Sequence, residues 1–550
     1  MSDLLTVATM TGDDGARLSR ELMSHGLLVK RSAIPLIESV DDLDQLIQAA
    51  LEKSIRLLDD SNVRSLIQSG SNIMETPEAG ETQTKEIQED RIQEPPSKKF
   101  AGNSGRILAP LERKGIQIAP RPHGLEHYSI RDFPMDATEI DPEIDIHFDI
   151  TGNSVTEGRL TDMQSCFTDR LAKIRKMIMD SGSLPARPSR ISDAWRERKS
   201  RNSPEMEVTV IGLVEFKRFG RNGDIQFALE DETGSIECIL FPKPGWTKTH
   251  PVTDGLLDDD VIGVTGYFTE SGRLRASDLH RPSLGAHQKA TSGSDAAISV
   301  AFLSDIHVGS KTFLDAQWEK MVQWFKEDPL ARTIKYFVMT GDGVDGVGIY
   351  PGQEKHLSIR DLYKQYGELA RMIEELPDWV DTIIMPGNHD AVRPAEPQPA
   401  LDPDVQQDYS DVTFSGNPSD FSLHGVRVLA YHGVSISDFV SSLRSVSFEH
   451  PERAMMAMLE RRHLAPSWGG KTPLSPEPED SMVIQTIPDI FVTGHVHGHH
   501  ASQYKGTHII HSSTWQNQTD YQRMLGFQPL PCILTVVNLE THAVASIPFV

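Results

Sequence analysis

Tyr336-Phe337-Val338-Met339-Thr340-Gly341-Asp342-Gly343-Val344-Asp345-Gly346 carries an apolar run of strand length into an acidic, glycine-rich turn. Such an ending sets the Asp342 carboxylate at the C-terminal edge of a buried strand, where glycines let a ligand approach closely. Alone, Gly-Asp-Gly is ordinary turn composition. Four more apolar runs in the last half of the chain, however, end in Asp, Asn or His.

Val300-Ala301-Phe302-Leu303-Ser304 leads into Asp305-Ile306-His307, whose alternation sends both ligand-type side chains to one side. Thr382-Ile383-Ile384-Met385 leads into Pro386-Gly387-Asn388-His389-Asp390. Val426-Arg427-Val428-Leu429-Ala430 leads into Tyr431-His432-Gly433, and Ile490-Phe491-Val492-Thr493 into Gly494-His495-Val496-His497. Helical spacing over 314–325 and 362–376 separates some of these runs. Strand and helix therefore alternate from residue 297 to the C-terminus, which predicts an α/β layered domain. Five strand ends would deliver oxygen and imidazole ligands to one edge of it. With no thiolate among them, the set suits manganese, iron or zinc in a dinuclear site better than a structural zinc.

The motif set DxH, GDxxD, GNHD, H and GHxH resembles the calcineurin-like metallophosphoesterase superfamily over residues 297–520. This resemblance implies a two-sheet α/β sandwich with two divalent metals, manganese first, with iron, zinc or magnesium as alternatives. Asp305, His307, Asp342 and His497 would hold one ion. Asp342, Asn388, His432 and His495 would hold the other, so that Asp342 bridges. His389, beside a ligand, would be the catalytic acid, with Asp345 orienting it.

Protein phosphatases of that superfamily carry Arg directly after the second Asp and end the third motif in Glu; here Gly346 and Asp390 stand at those positions. The segments Gly341-Asp342-Gly343-Val344-Asp345-Gly346-Val347-Gly348-Ile349-Tyr350-Pro351-Gly352-Gln353 and Ser513-Thr514-Trp515-Gln516-Asn517-Gln518-Thr519-Asp520-Tyr521-Gln522 are instead similar to the small subunits of archaeal family-D DNA polymerases. That resemblance implies a 3′-5′ proofreading exonuclease acting on single-stranded 3′ ends of DNA, in a heterodimer with a large subunit that synthesises DNA. Sliding clamp and primase are further partners it suggests. Two rivals stand beside it: a catalytically inactive scaffold subunit, and a stand-alone phosphodiesterase.

The order of parts agrees with the same family. Residues 1–70 place Leu18, Leu22, Leu27 and Leu28, then Leu43, Leu46, Ile47, Ala50, Leu51 and Leu58, at helical spacing, and read as a small helical module. Residues 71–135 shift to Glu, Gln, Lys, Pro and Ser, the composition of a disordered linker. In 136–200 an alternating strand at 144–150 precedes an amphipathic helix over 161–179. Five short strands between 201 and 285, with turn signals at Asn222-Gly223 and Asp231-Glu232-Thr233-Gly234, resemble an oligonucleotide-binding (OB-type) β-barrel. On it, Lys217, Arg218, Phe219 and Arg221 are the candidate DNA contacts. The phosphoesterase domain would fill 297–550.

Composition narrows the partners. In 550 residues the formal net charge is -25, which argues against gripping nucleic acid over the whole surface but leaves room for a site charged by cations. Cys166, Cys238 and Cys532 lie far apart without CxxC, which disfavours a disulfide framework and a zinc ribbon. The mean hydropathy is -0.35, no run is long enough to span a bilayer, and Met1-Ser2-Asp3 does not open a signal peptide, so a cytoplasmic, nucleoid-associated protein is expected.

Overall fold

Each of the five apolar runs is a buried strand, and together they fall into two sheets. Ser299–Leu303, Ile334–Thr340 and Asp381–Met385 run parallel in an eight-stranded sheet. Val426–Tyr431 and Ile490–Thr493 run parallel in a six-stranded one. Strands covered on both faces need apolar side chains on both, which is why these read as unbroken runs. The structure is a computed structural model. It describes residues 136–550 except 202–206, 221–222, 244–254, 285–293, 295 and 525–526, together with 28–29, 37, 48, 57–58, 63, 109–110 and 117–118.

The two sheets pack face to face. Val300, Phe302, Tyr336, Val338, Ile383 and Met385 of the first meet Phe421, Val428, Ala430, Ile490, Val492 and Ile510 of the second in one core. Helices Asp315–Glu327 and Leu362–Ile373 cover the outer face of the first sheet through Trp318, Met321, Phe325, Tyr366 and Leu369. Helices Ile436–Ser442 and Pro451–Arg461 cover the second through Phe439, Met455 and Met458. The result is a layered order of helix, sheet, sheet, helix, as strand-helix alternation predicts.

Ile144–Phe148 pairs antiparallel with Ser419–Leu423 at the edge of the six-stranded sheet. Glu207–Phe219, Ile225–Asp231, Gly234–Leu240, Val261–Phe268 and Leu274–His280 close into a five-stranded barrel. Between barrel and sandwich lies the helix Leu160–Asp180, whose Leu171, Ile174 and Ile178 pack on Ile211, Val261 and Val483. Its Arg170, buried, donates to Asp480 Oδ2 at 2.6 Å and to the Asp259 carbonyl at 3.1 Å. His463 Nε2 is 2.9 Å from the same Asp480 oxygen.

In the N-terminal unit, Leu28–Val29 runs parallel to Leu57–Leu58. Leu28 and Leu58 are therefore strand residues, not the helical ones their spacing suggests; in short leucine-rich runs, helical and buried-strand patterns coincide. The rest of the 1–70 reading lies outside the described residues. So does most of the 71–135 linker reading. Its described parts, Ala109–Pro110 and Gln117–Ile118, pair with each other and extend the eight-stranded sheet past Val544–Pro548, a local apolar signal that average composition hides. Among the described residues, no helix is long and apolar enough to cross a membrane.

Candidate metal centre

The expected ligands sit where strands stop, in unusual backbone. Asp305, His307, Asp342, His495 and His497 have φ of 53°, 55°, 52°, 76° and 53°, the left-handed region that non-glycine residues seldom occupy. Main-chain bonds tie the strand ends together. Asp305 N–H donates to the Gly341 carbonyl at 3.0 Å, His307 N–H to that of Asp342 at 3.1 Å, and Gly494 N–H to that of His432 at 2.8 Å. Adjacent glycines are required by space: a Cβ at Gly387 would lie 2.2 Å from Asp342 Oδ1, and one at Gly494 1.9 Å from Ser304 Oγ.

Three groups of ligand atoms result, each spanning no more than 4.8 Å. Two hold expected ligands, Asp305, His307 and His497, and Asp342, His432 and His495; the third is His307, Asp345 and His389. In the first, His497 Nε2 is 3.1 Å from His307 Nε2 and 3.3 Å from Asp305 Oδ1. In the second, His432 Nε2 is 3.3 Å from Asp342 Oδ2 and 3.1 Å from Asn388 Oδ1. His307 Nε2 and Asp342 Oδ2, 3.8 Å apart, join the two. Asn388, His389 and His495 are part-exposed while the others are buried, so the cluster opens on their side.

The donor chemistry fits a divalent cation. His307 Nδ1 donates to Asp345 Oδ1 at 3.1 Å and His432 Nδ1 to the Thr340 carbonyl at 2.9 Å, which turns each Nε2 lone pair toward carboxylate or amide oxygens. Lone pairs so opposed repel unless a proton or a cation lies between them. Asp305 Oδ1 is buried, with no partner nearer than His497 Nε2 at 3.3 Å, as suits an oxygen that could hold a metal. Protons can take the cation's part. Burial pulls the His307 and His432 rings down, but the Asp345 and Asp342 carboxylates outweigh it and raise them to about 9 and about 10. Against burial, His432, His389 and His307 hold Asp342 well below the usual carboxylate range, and His497 does the same for Asp305. Burial and the His432 charge push His495 down to about 3, leaving it neutral as a ligand must be. The Gln522 amide donates to His497 Nδ1 at 2.8 Å, which puts that ring's proton on Nε2. Ligation through Nε2 needs the proton on Nδ1 and the amide turned over.

With this geometry in hand, known proteins supply the family. Residues 300–502 match the family of B subunits of DNA polymerases alpha and epsilon. The DNA polymerase II small subunit of Archaeoglobus fulgidus is 39% identical over 391 residues, 70% of this chain and 76% of that one. That of Halobacterium salinarum is 30% identical over 539 residues, 96% of this chain and 98% of that one. The chain belongs to the family of archaeal DNA polymerase II small subunits. The family-D resemblance carried by residues 341–353 and 513–522 is borne out.

In this small subunit His389 lies edge-on to His307, with ring centroids 4.7 Å apart. Its N–H donates to Asp342 Oδ1 at 2.8 Å, and its Nδ1 to the main-chain carbonyl of Asp345, also at 2.8 Å. Asp345 thus meets His389, but through its carbonyl; its carboxylate bonds His307 and stays within 4.8 Å of a His389 ring nitrogen. Gln353 and Gln516, both buried, donate to that carboxylate at 3.0 and 3.1 Å. Neither was assigned a role from sequence, although both lie in the segments that carry the family resemblance. Asp390 is not in either ligand group. It accepts from Gly387 N–H and the Tyr366 hydroxyl and braces the loop, its carboxyl raised to about 6 by burial and by Asp342.

On the barrel, Lys217, Arg218 and Phe219 share the strand Glu207–Phe219 and belong to neither ligand group. Lys217 Nζ lies 5.7 Å and the Arg444 guanidinium 5.1 Å from the centre of the Phe219 ring, and Arg218 lies 5.1 Å from that of Phe216. Arg221 lies outside the described residues.

Proposed function

We propose that this small subunit is a metal-dependent 3′-5′ exonuclease that trims single-stranded or frayed DNA ends while a separate large subunit synthesises DNA. The observation that carries the reading is the gathering of Asp305, His307, Asp342, Asn388, His432, His495 and His497 from five strand ends, with His389 alongside. Ligands at strand ends of a two-sheet sandwich are the calcineurin-like arrangement. Asp305, His307, Asp342 and His497 would hold one divalent ion, and Asp342, Asn388, His432 and His495 the other, with manganese the best match. Two such ions supply phosphate clamping and a water of lowered pKa.

The chain's own groups do the rest. Asp345 and Thr340 fix the ring orientations of His307 and His432 through Nδ1. With His389 Nδ1 committed to the Asp345 carbonyl, the imidazolium form presents its other proton on Nε2, where it would meet the leaving 3′-oxygen. Strained backbone at five ligand positions favours this reading over an inactive scaffold, which has no use for it.

The test uses the purified full chain with manganese and a 5′-labelled single strand, alone and with the large subunit. Stepwise shortening that EDTA stops is expected. Absence of digestion in both preparations would leave the scaffold reading.

A further inference from the structure

The loop at residues 346–353, next to the metal cluster, has a polar base and an apolar tip. Its base is clamped by two fully buried glutamines. Gln353 donates to the Asp345 carbonyl at 2.8 Å and accepts from Ile349 N–H at 2.9 Å, while Gln365 accepts from Gly346 N–H at 2.9 Å. At the tip, Val347, Ile349 and Tyr350 are 45%, 40% and 39% exposed. The loop adjoins the proposed acid: a Cβ on Gly346 would lie 2.3 Å from the His389 carbonyl and 3.0 Å from Ile349 Cδ1.

A second apolar segment approaches from the His497 side. Gln522 donates to the His497 ring, and Leu530 N–H donates to the His497 carbonyl at 2.9 Å. Between and beside these anchors, Met524 and Leu530 are 74% and 46% exposed. Five of the fifteen exposed large apolar side chains among the described residues thus sit on two segments anchored to one polar cluster, which is not the scatter expected of an ordinary surface.

We propose that this rim is a base-stacking site, in which Tyr350, Ile349 and Val347 hold the unpaired bases at the 3′ end of a single strand. The proposal rests on the nuclease reading above and deepens it, from phosphate chemistry to the choice of end. Carboxylates and metal ions can hold phosphates but offer bases no surface, and imidazoles committed to ions offer little; exposed aromatic and apolar side chains do, whatever the sequence. The Tyr350 hydroxyl, 3.0 Å from His356 Nδ1, fixes the ring as such a platform. Bases already paired and stacked in a duplex cannot lie on it. Selection for frayed or mismatched ends follows without any reading of sequence.

The primary test needs no catalysis. The full chain in EDTA is mixed with a single strand bearing 2-aminopurine at its 3′ end. Wild type and Tyr350→Phe should change the emission, and Tyr350→Ala should not. A wild type that leaves the emission unchanged, or a Tyr350→Ala protein that changes it as the wild type does, overturns the proposal. With manganese, the ratio of strand cutting to bis(p-nitrophenyl) phosphate cutting should fall about tenfold in Tyr350→Ala, in line with the loss of one stacked base. Abasic 3′ nucleotides should erase that difference. An unchanged ratio also overturns the proposal. If the wild type cuts neither substrate yet shows the Tyr350-dependent emission change, the nuclease reading falls and the rim stands. If Tyr350→Ala weakens capture of the large subunit and leaves the emission change intact, the rim is a protein interface and the proposal falls.

Discussion

The main-chain carbonyl of Asp345 accepts from His389 Nδ1 at 2.8 Å, while its carboxylate accepts from His307 Nδ1 at 3.1 Å. One residue thus serves a proposed acid and a proposed ligand through separate groups, and a substitution can part them. Asp345→Asn keeps the carbonyl and loses the charge behind His307. We expect manganese affinity to fall about 10–100-fold, as for other partners of metal-bound histidines. Most of the cutting rate should return at saturating manganese. Metal titrations of rate, alongside calorimetry, separate the two effects.

His389→Ala should do the reverse. The metal affinity should hold, and cutting should drop by about 10²–10⁴-fold, the usual worth of a positioned acid. Asp342→Ala, which removes the proposed bridging carboxylate, should abolish both. Capture of the large subunit should survive in each variant. Wild-type cutting by a carefully purified Asp342→Ala preparation would sink the site assignment.

Gly494 touches no substrate, yet it should be as sensitive as a ligand. An added methyl would fall 1.9 Å from Ser304 Oγ and 2.5 Å from Asp305 Oδ2, so Asp305 must move. Gly494→Ala is expected to weaken manganese binding and to destabilise the fold by about 1–3 kcal/mol, as overpacking does. Gly425→Ala, with nothing within 4 Å of its Cβ, tests the cost of left-handed backbone alone. Metal titration and denaturant unfolding of both variants distinguish crowding from strain.

Sandwich strands and the gathering of Asp and His at their ends were legible because buried parallel strands must be apolar throughout, so an Asp or His ending stands out. The part played by Asp345 was not legible, since a sequence shows which side chains are present but not when a carbonyl does the work expected of a carboxylate. Gln353 and Gln516 were hidden for a related reason: a buried glutamine has the same composition as a surface one. The strands at Leu28 and Leu58 were missed because two-residue strands leave no period to read.

The joint between barrel and sandwich should show in acid stability. Burial opposes the charge on Asp480, but Arg170 and His463 outweigh it and hold the carboxyl well below its usual range. A depressed carboxyl stabilises the fold above its unfolded value, near 4, and that contribution is lost as pH falls below it. Arg170→Met, which strands a buried carboxylate, is expected to cost about 3–5 kcal/mol at neutral pH. The double variant Arg170→Met with Asp480→Leu should recover much of this and lose the associated acid sensitivity. Urea unfolding at pH 3, 5 and 7 reads both.

Left-handed backbone at Asp305, His307, Asp342, His495 and His497 sets the direction in which this sequence would drift. Glycine at any of them would relieve about 1–2 kcal/mol of steric strain while deleting a proposed ligand. Loss of the proposed centre would therefore ease the backbone step by step, while use of bound metals, and the buried Asp and His pairs that each loss breaks, would oppose that drift. A descendant released from that use would relax this backbone as it lost the chemistry, and glycine at strand ends where this chain has Asp and His would be the trace it left.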